Sequence, residues 1–155
     1  MATVEVTFPP LPAHVRTARL VATAVARRSG IDESLLDEVR LAVGEACSRA
    51  VEAHRKHCPG QPIRVALCDD GERFEVVVTD AAPADADGGA SAAAAPRGGN
   101  GTPRGATAEV DGVTLQLPAD VGLAVISGLA DDVRISPVGD GTSVAMSWKR
   151  RSATA

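Results

Sequence analysis

From Ala81 to Ala108 the chain contains no Leu, Ile, Val, Phe or Trp and consists mainly of Ala, Gly, Pro and Asp. A stretch of that composition cannot bury enough apolar surface to offset the conformational entropy of ordering it. Any core must therefore come from the two flanking stretches, and 81–108 is expected as a flexible low-complexity insertion within a single domain spanning 1–155. With 155 residues and 45% hydrophobic side chains, one ordinary domain can close a core around it.

The stretch before the insertion carries a clear alternation of periods. Val4, Val6 and Phe8 alternate with polar residues, the period of a half-buried strand, and Pro9, Pro10 and Pro12 end it. From His14 to Arg28, Val15, Ala18, Leu20, Val21 and Val25 recur at helical spacing, with Gly30 as the stop. Asp32 is the expected N-cap of a second helix, with Ile31 and Leu36 as its hydrophobic staple. The apolar stripe of that helix runs Leu36, Val39, Val43, Ala46, Cys47, Ala50, placing Asp37, Arg40 and Arg49 elsewhere around its circumference. After Pro59-Gly60, the alternation at Ile63, Val65 and Leu67, the turn Asp69-Asp70-Gly71 and the apolar run through Phe74, Val76, Val77 and Val78 predict a β-hairpin.

Beyond the insertion, Val113, Leu115 and Leu117 alternate around Val110-Asp111-Gly112-Val113 as a short strand or hairpin arm. A third helix is expected from about Asp120 to Asp131 with Leu123, Ile126, Leu129 and Ala130 on one side, then a closing hairpin, 133–138 and 142–148, across Gly139-Asp140-Gly141. Runs of helices and hairpins, without strict βαβ alternation, predict an α+β two-layer sandwich, its helices on one face of a mostly antiparallel sheet.

Sixteen basic against twenty acidic side chains give a net charge of −4, which provides no electrostatic footprint for nucleic acid or an anionic membrane. No segment approaches the roughly 18 consecutive apolar residues of a membrane span, and Met1 to Pro10 lacks the pattern of a leader, so a cytoplasmic protein is expected. Cys47, Cys58 and Cys68 are read as reduced thiols. His54, His57, Cys58 and Cys68 match no usual zinc spacing and are read as a polar helix end followed by a strand cysteine.

The second helix then supplies a motif. Leu41-Ala42-Val43-Gly44-Glu45-Ala46-Cys47-Ser48-Arg49-Ala50-Val51 resembles the N-box of the GHKL ATPases, in the version found in anti-sigma-factor serine kinases of the RsbW and SpoIIAB type, whose fold is the histidine-kinase-like, Bergerat-type sandwich. Val76-Val77-Val78-Thr79-Asp80 is similar to the strand leading to the adenine-recognising aspartate. Gly122-Leu123-Ala124-Val125-Ile126 resembles the helix after the second glycine box, and Gly141-Thr142-Ser143 the closing Gly-Thr turn. The stretch Asp120 to Val133 resembles actinobacterial regulators encoded with STAS-domain antagonists. By this resemblance Glu45 is the catalytic base, Asp80, Gly122, Leu123, Gly141 and Thr142 face ATP, magnesium accompanies the nucleotide, and 81–108 takes the place of the ATP lid. The resemblance further implies a homodimer whose partners are a sigma factor and a STAS-domain antagonist, with Arg19, backed by Arg16, towards the antagonist. Arg16, Arg19, Arg27 and Arg28 read equally well as a solvated basic face.

The departures from the family pattern bear on activity. Arg49 stands where the family has a magnesium-holding asparagine; a guanidinium has no lone pair for a metal, so no metal ligand is assigned, and an i,i+4 ion pair with Glu45 is expected. Asp80 is followed by Ala81-Ala82-Pro83 in place of glycines. Asp120 would set a negative charge against nucleotide phosphates. Gly98-Gly99-Asn100-Gly101 with Arg97 and Arg104 lacks the flanking strand and helix of a phosphate loop and is read as linker. The expected function is therefore an anti-sigma-type regulator that binds protein partners with nucleotide binding weak or lost. One alternative is an active ATP-dependent serine kinase, and a second is a stand-alone histidine-kinase-like ATPase domain.

Overall fold

The computed structural model describes residues 2–83, 105–110 and 113–150, with the backbone path alone for 105–123. The first half contributes β1 (Ala2–Phe8), α1 (Pro12–Arg28), α2 (Leu36–His57), β2 (Ile63–Asp69) and β3 (Arg73–Thr79). The second half contributes β4 (Gly105–Val110), β5 (Val113–Pro118), α3 (Ala119–Leu129), β6 (Asp132–Val138) and β7 (Gly141–Lys149). Five strands form one antiparallel sheet in the order β1-β2-β3-β7-β6, and β4 and β5 form a separate two-stranded hairpin. The chain is an α+β two-layer sandwich, as its periodicities predict.

Alternation fixes the register. Val4, Val6 and Phe8 lie opposite Leu67, Val65 and Ile63, so they share a face with the buried residues of β2, and burial along β1 runs from an exposed Val4 to a buried Phe8. Across the sheet Phe74 pairs with Trp148, Val76 with Met146 and Val78 with Val144. These side chains meet Val39, Val43 and Ala46 of α2 and Ile126 of α3 in one core. Phe74 and Trp148 are fully buried with ring centroids 6.3 Å apart, and Trp148 Nε1 donates to the Leu129 carbonyl at 3.0 Å, tying β7 to the end of α3. Burying a side chain of that size contributes about 1.5–3 kcal/mol, so Trp148 and Phe74 anchor the sandwich.

Three local expectations need correction. Asp32 does cap, its carboxylate accepting from the Ser34 N–H at 2.9 Å, but the element it starts is a 3-10 turn, Glu33–Leu35, that leads into α2. On α1 the buried ridge is Val15, Ala18, Ala22 and Ala26, whereas Leu20 is 58% exposed. Small side chains let α1 lie close on α2, where Ala42, Gly44 and Ala46 are also buried. The low-complexity stretch is shorter than its composition implies, because Ala82 is buried and residues 105–108 already belong to β4; most of it lies outside the described residues.

Turn chemistry follows the sequence. Gly71 takes φ +91° between β2 and β3, and Gly139 φ +57° between β6 and β7, where a β-carbon would be strained. The Asp70 carboxylate accepts from the N–H groups of Glu72 and Arg73 at 2.8 and 2.7 Å, which holds its pKa below the usual carboxylate range.

Candidate functional site

The candidate site lies where α2 passes the C-terminal end of β3. Burial of the second helix is wider than its apolar stripe, for Gly44, Glu45 and His54 join the buried set. The aliphatic stem of Arg19 lies across the N-box helix at Gly44, where a β-carbon would come within 2.8 Å of its Cδ and displace it. Cys47 is fully buried one turn on; burial pushes its thiol up to about 12, against the lowering influence of the Arg19 charge, so it packs as an unreactive thiol.

Glu45 is 5% exposed, and its Oε2 has no hydrogen-bond partner. Desolvation raises its pKa above the ordinary glutamate value. The expected ion pair with Arg49 does not form: Arg49 Nη1 instead reaches Asp80 Oδ2 at 3.4 Å. Both carboxylates are buried, and the one that Arg49 reaches lies across from α2 on the segment after β3 rather than one turn back on its own helix.

Asp80 is bonded on every side. Its Oδ1 accepts from the Ala82 and Thr142 N–H groups, both at 3.2 Å, while its own N–H donates to the Thr142 carbonyl at 3.0 Å. Gly141 is packed so tightly that a β-carbon on it would overlap the Asp80 carbonyl oxygen. The Gly141-Thr142 turn therefore closes directly onto Asp80, which brings together three of the expected nucleotide-facing residues. Gly122 and Leu123 lie in α3, which packs against α2.

His54 carries a role that its sequence context hides. It is fully buried, its Nδ1 donates to the Gln61 carbonyl at 2.9 Å, and its Nε2 accepts from the Ala81 N–H at 2.8 Å. Those two partners define a neutral ring with the proton on Nδ1. Read as part of a polar helix end, it is instead the second tether from α2 to the segment after β3. Its place on the same helix face as Ala50 and Val51 was the available signal. Among the described residues no group of three or more His, Cys, Asp or Glu side chains could hold a metal ion.

The profile of the histidine kinase-like ATPase domain matches residues 8–148. The chain belongs to the histidine kinase-like ATPase family. Among curated members it is 34% identical over 79 residues to the serine-protein kinase RsbW of Bacillus subtilis (strain 168), a match covering 50% of this chain and 48% of that protein. The aligned part thus spans about half of the relative's length. A crystal structure of the RsbU and RsbW domains of Rv1364c from Mycobacterium tuberculosis superposes with a TM-score of 0.63 at 19% identity, over 98% of this chain and 33% of that one. That likeness is one of fold.

Family membership makes Mg-ATP the group to test against this site. Among the described residues it would meet a carboxylate that is already bonded and a guanidinium at the position of the expected metal ligand. Three donors already converge on the Asp80 carboxylate, and the residue at the family's metal-binding asparagine position is a cation spent on that same carboxylate. Among the described residues, no helix is long and apolar enough to cross a membrane.

Proposed function

We propose that this chain is an anti-sigma-type regulator in a partner-switching system, binding a sigma factor, a STAS-domain antagonist, or each in turn, with nucleotide binding weak or lost. The observation that carries this reading is the contrast between an intact sandwich core and a base-reading carboxylate held by the chain's own Arg49. A fold keeps its packing surfaces for as long as it must present a shape to a partner, whereas a nucleotide site drifts once turnover is no longer its function. The likeness to a protein named a serine-protein kinase supports the kinase family as a whole and bears equally on the second reading below.

The candidate partner surface is the α1–α2 groove lined by Arg16, Arg19, Leu20 and Arg40. Leu20 is 58% exposed amid three guanidinium groups, a setting that suits an acidic partner surface with an apolar anchor. Affinity capture with the full chain is the test: recovery of a sigma factor or a STAS protein is expected, and recovery of a response regulator alone would overturn the reading. Arg19→Glu is expected to weaken antagonist capture at least tenfold, and unchanged affinity would remove this groove as the contact.

A second reading, an active serine kinase, has one observation in its favour. Glu45 is a buried carboxylate with a free oxygen and a raised pKa, which are properties of a general base. Incubation with labelled ATP and the captured antagonist decides it, since phosphoserine formation would establish catalysis and its absence would leave the binding role.

A further inference from the structure

Resting on the reading of a weakened nucleotide site, we propose that Arg49 is an internal plug of the base-reading pocket, holding the Asp80 carboxylate that would otherwise accept the exocyclic amine of an adenine ring. The plug differs from simple loss of a metal ligand. A missing metal ligand weakens the grip on phosphates; an occupied carboxylate blocks the base itself.

Three features of the structure support this assignment. Arg49 does not make the local contact open to it one turn back at Glu45, but spans from α2 to the segment after β3. The interaction is drier than the exposed pairs elsewhere on the molecule, with side chains 18% and 5% exposed against 59% and 76% for Arg27–Glu33. The remaining donors on Asp80 are backbone N–H groups of Ala82 and Thr142, both on Oδ1, so Arg49 is the only described side chain that holds Oδ2. His54 meanwhile fixes Ala81 independently of Arg49, so removal of the guanidinium leaves the backbone around Asp80 tethered.

The chemistry makes the proposal specific. A carboxylate freed on one oxygen accepts an N–H donor and repels a carbonyl oxygen. Adenosine presents an amine at its six position and inosine a carbonyl, while neither carries phosphates for Asp120 to repel or a metal to be held. The purine nucleosides therefore separate the contact at Asp80 from the departures at the phosphate and metal positions.

The experiment measures adenosine and inosine binding by ligand-observed NMR to the wild-type chain, Arg49→Ala, and the double variant Arg49→Ala with Asp80→Asn. Arg49→Ala is expected to bind adenosine at least tenfold more tightly than wild type and to discriminate against inosine, and the double variant is expected to lose the gain. Equal adenosine affinity in wild type and a folded Arg49→Ala overturns the plug, as does a gain that survives Asp80→Asn. Arg49→Met keeps the aliphatic volume and replaces Arg49→Ala in the same comparison if the alanine variant does not fold. Partner capture by the wild-type chain is read separately, so failure of the regulator reading and failure of the plug give different results.

Discussion

His54 shows how one buried polar side chain can set the geometry of a site that it does not line. Both ring nitrogens are used, one towards Gln61 and one towards Ala81, and no part of the ring reaches solvent. Replacing it with alanine removes both bonds, takes that partner from the Ala81 N–H and the Gln61 C=O, and opens a cavity where a fully buried ring stood. His54→Ala is expected to cost about 2–4 kcal/mol, read as a fall in the denaturant midpoint with an unchanged slope. Glu45 makes the opposite case, because burial disfavours its charge. Its folded pKa is raised, so the folded state binds the proton more tightly than the unfolded chain, and this contribution is fully present below the unfolded value of about 4.3 and lost as pH rises towards the folded one. Glu45→Gln is therefore expected to be more stable than wild type at pH 7, by about 1–3 kcal/mol, with the gap closing in acid. Urea titrations of both proteins at pH 7 and pH 4 check the sign; a gap that widens in acid would contradict it.

At the scale of elements, the α1–α2 contact depends on small side chains. Ala22 and Ala26 are fully buried, and a β-carbon on Gly44 would press on the Arg19 stem, which would have to shift. Ala22→Leu would force the helices apart and is expected to cost about 1–3 kcal/mol, a fall in Tm of roughly 2–12 °C for a domain of this size. Since Arg19 and Leu20 ride on the same helix, the same variant is expected to weaken partner capture, which a parallel pull-down would detect. Here the limits of sequence become physical. The elements were legible because period-2 and period-3.6 patterns are strong at Val4 to Phe8, at Leu36 to Ala50 and at Ile63 to Val78, and the strands appear where that alternation places them. The burial of α1 was less legible, since hydropathy favours Leu20 over Ala22, whereas close helix packing favours the smaller side chain. In the site, Asp80 and the Gly141-Thr142 turn could be read from motif order. The Arg49 contact could not, because spacing along α2 suggests a neighbour four residues away and carries no information about a residue from the end of β3.

For the whole molecule, Asp80 is the point at which the two halves of the chain meet. Its carboxylate binds α2 through Arg49, its backbone and side chain bind the start of β7 through Thr142, and Gly141 is pressed against its carbonyl oxygen. These polar contacts add to the β3–β7 pairing and to the shared core, in which Ile126, Met146 and Trp148 of the second half pack with Val39, Val43 and Phe74 of the first. With the Asp80 carboxylate held by Arg49 and by the Ala82 and Thr142 N–H groups, the folded state should gain nothing from nucleotide. Ligand that binds only the folded state adds about 2.7 kcal/mol of stability when present at a hundred times its dissociation constant, a rise in Tm of several degrees for a domain of this size. Thermal unfolding of the wild-type chain is therefore expected to give the same Tm with and without millimolar Mg-ATP. The captured protein partner, which meets the folded surface, is expected to raise it under the same conditions. A shift of several degrees with Mg-ATP alone would mean that the Arg49–Asp80 contact opens readily and that the site retains nucleotide, returning the chain to the kinase reading.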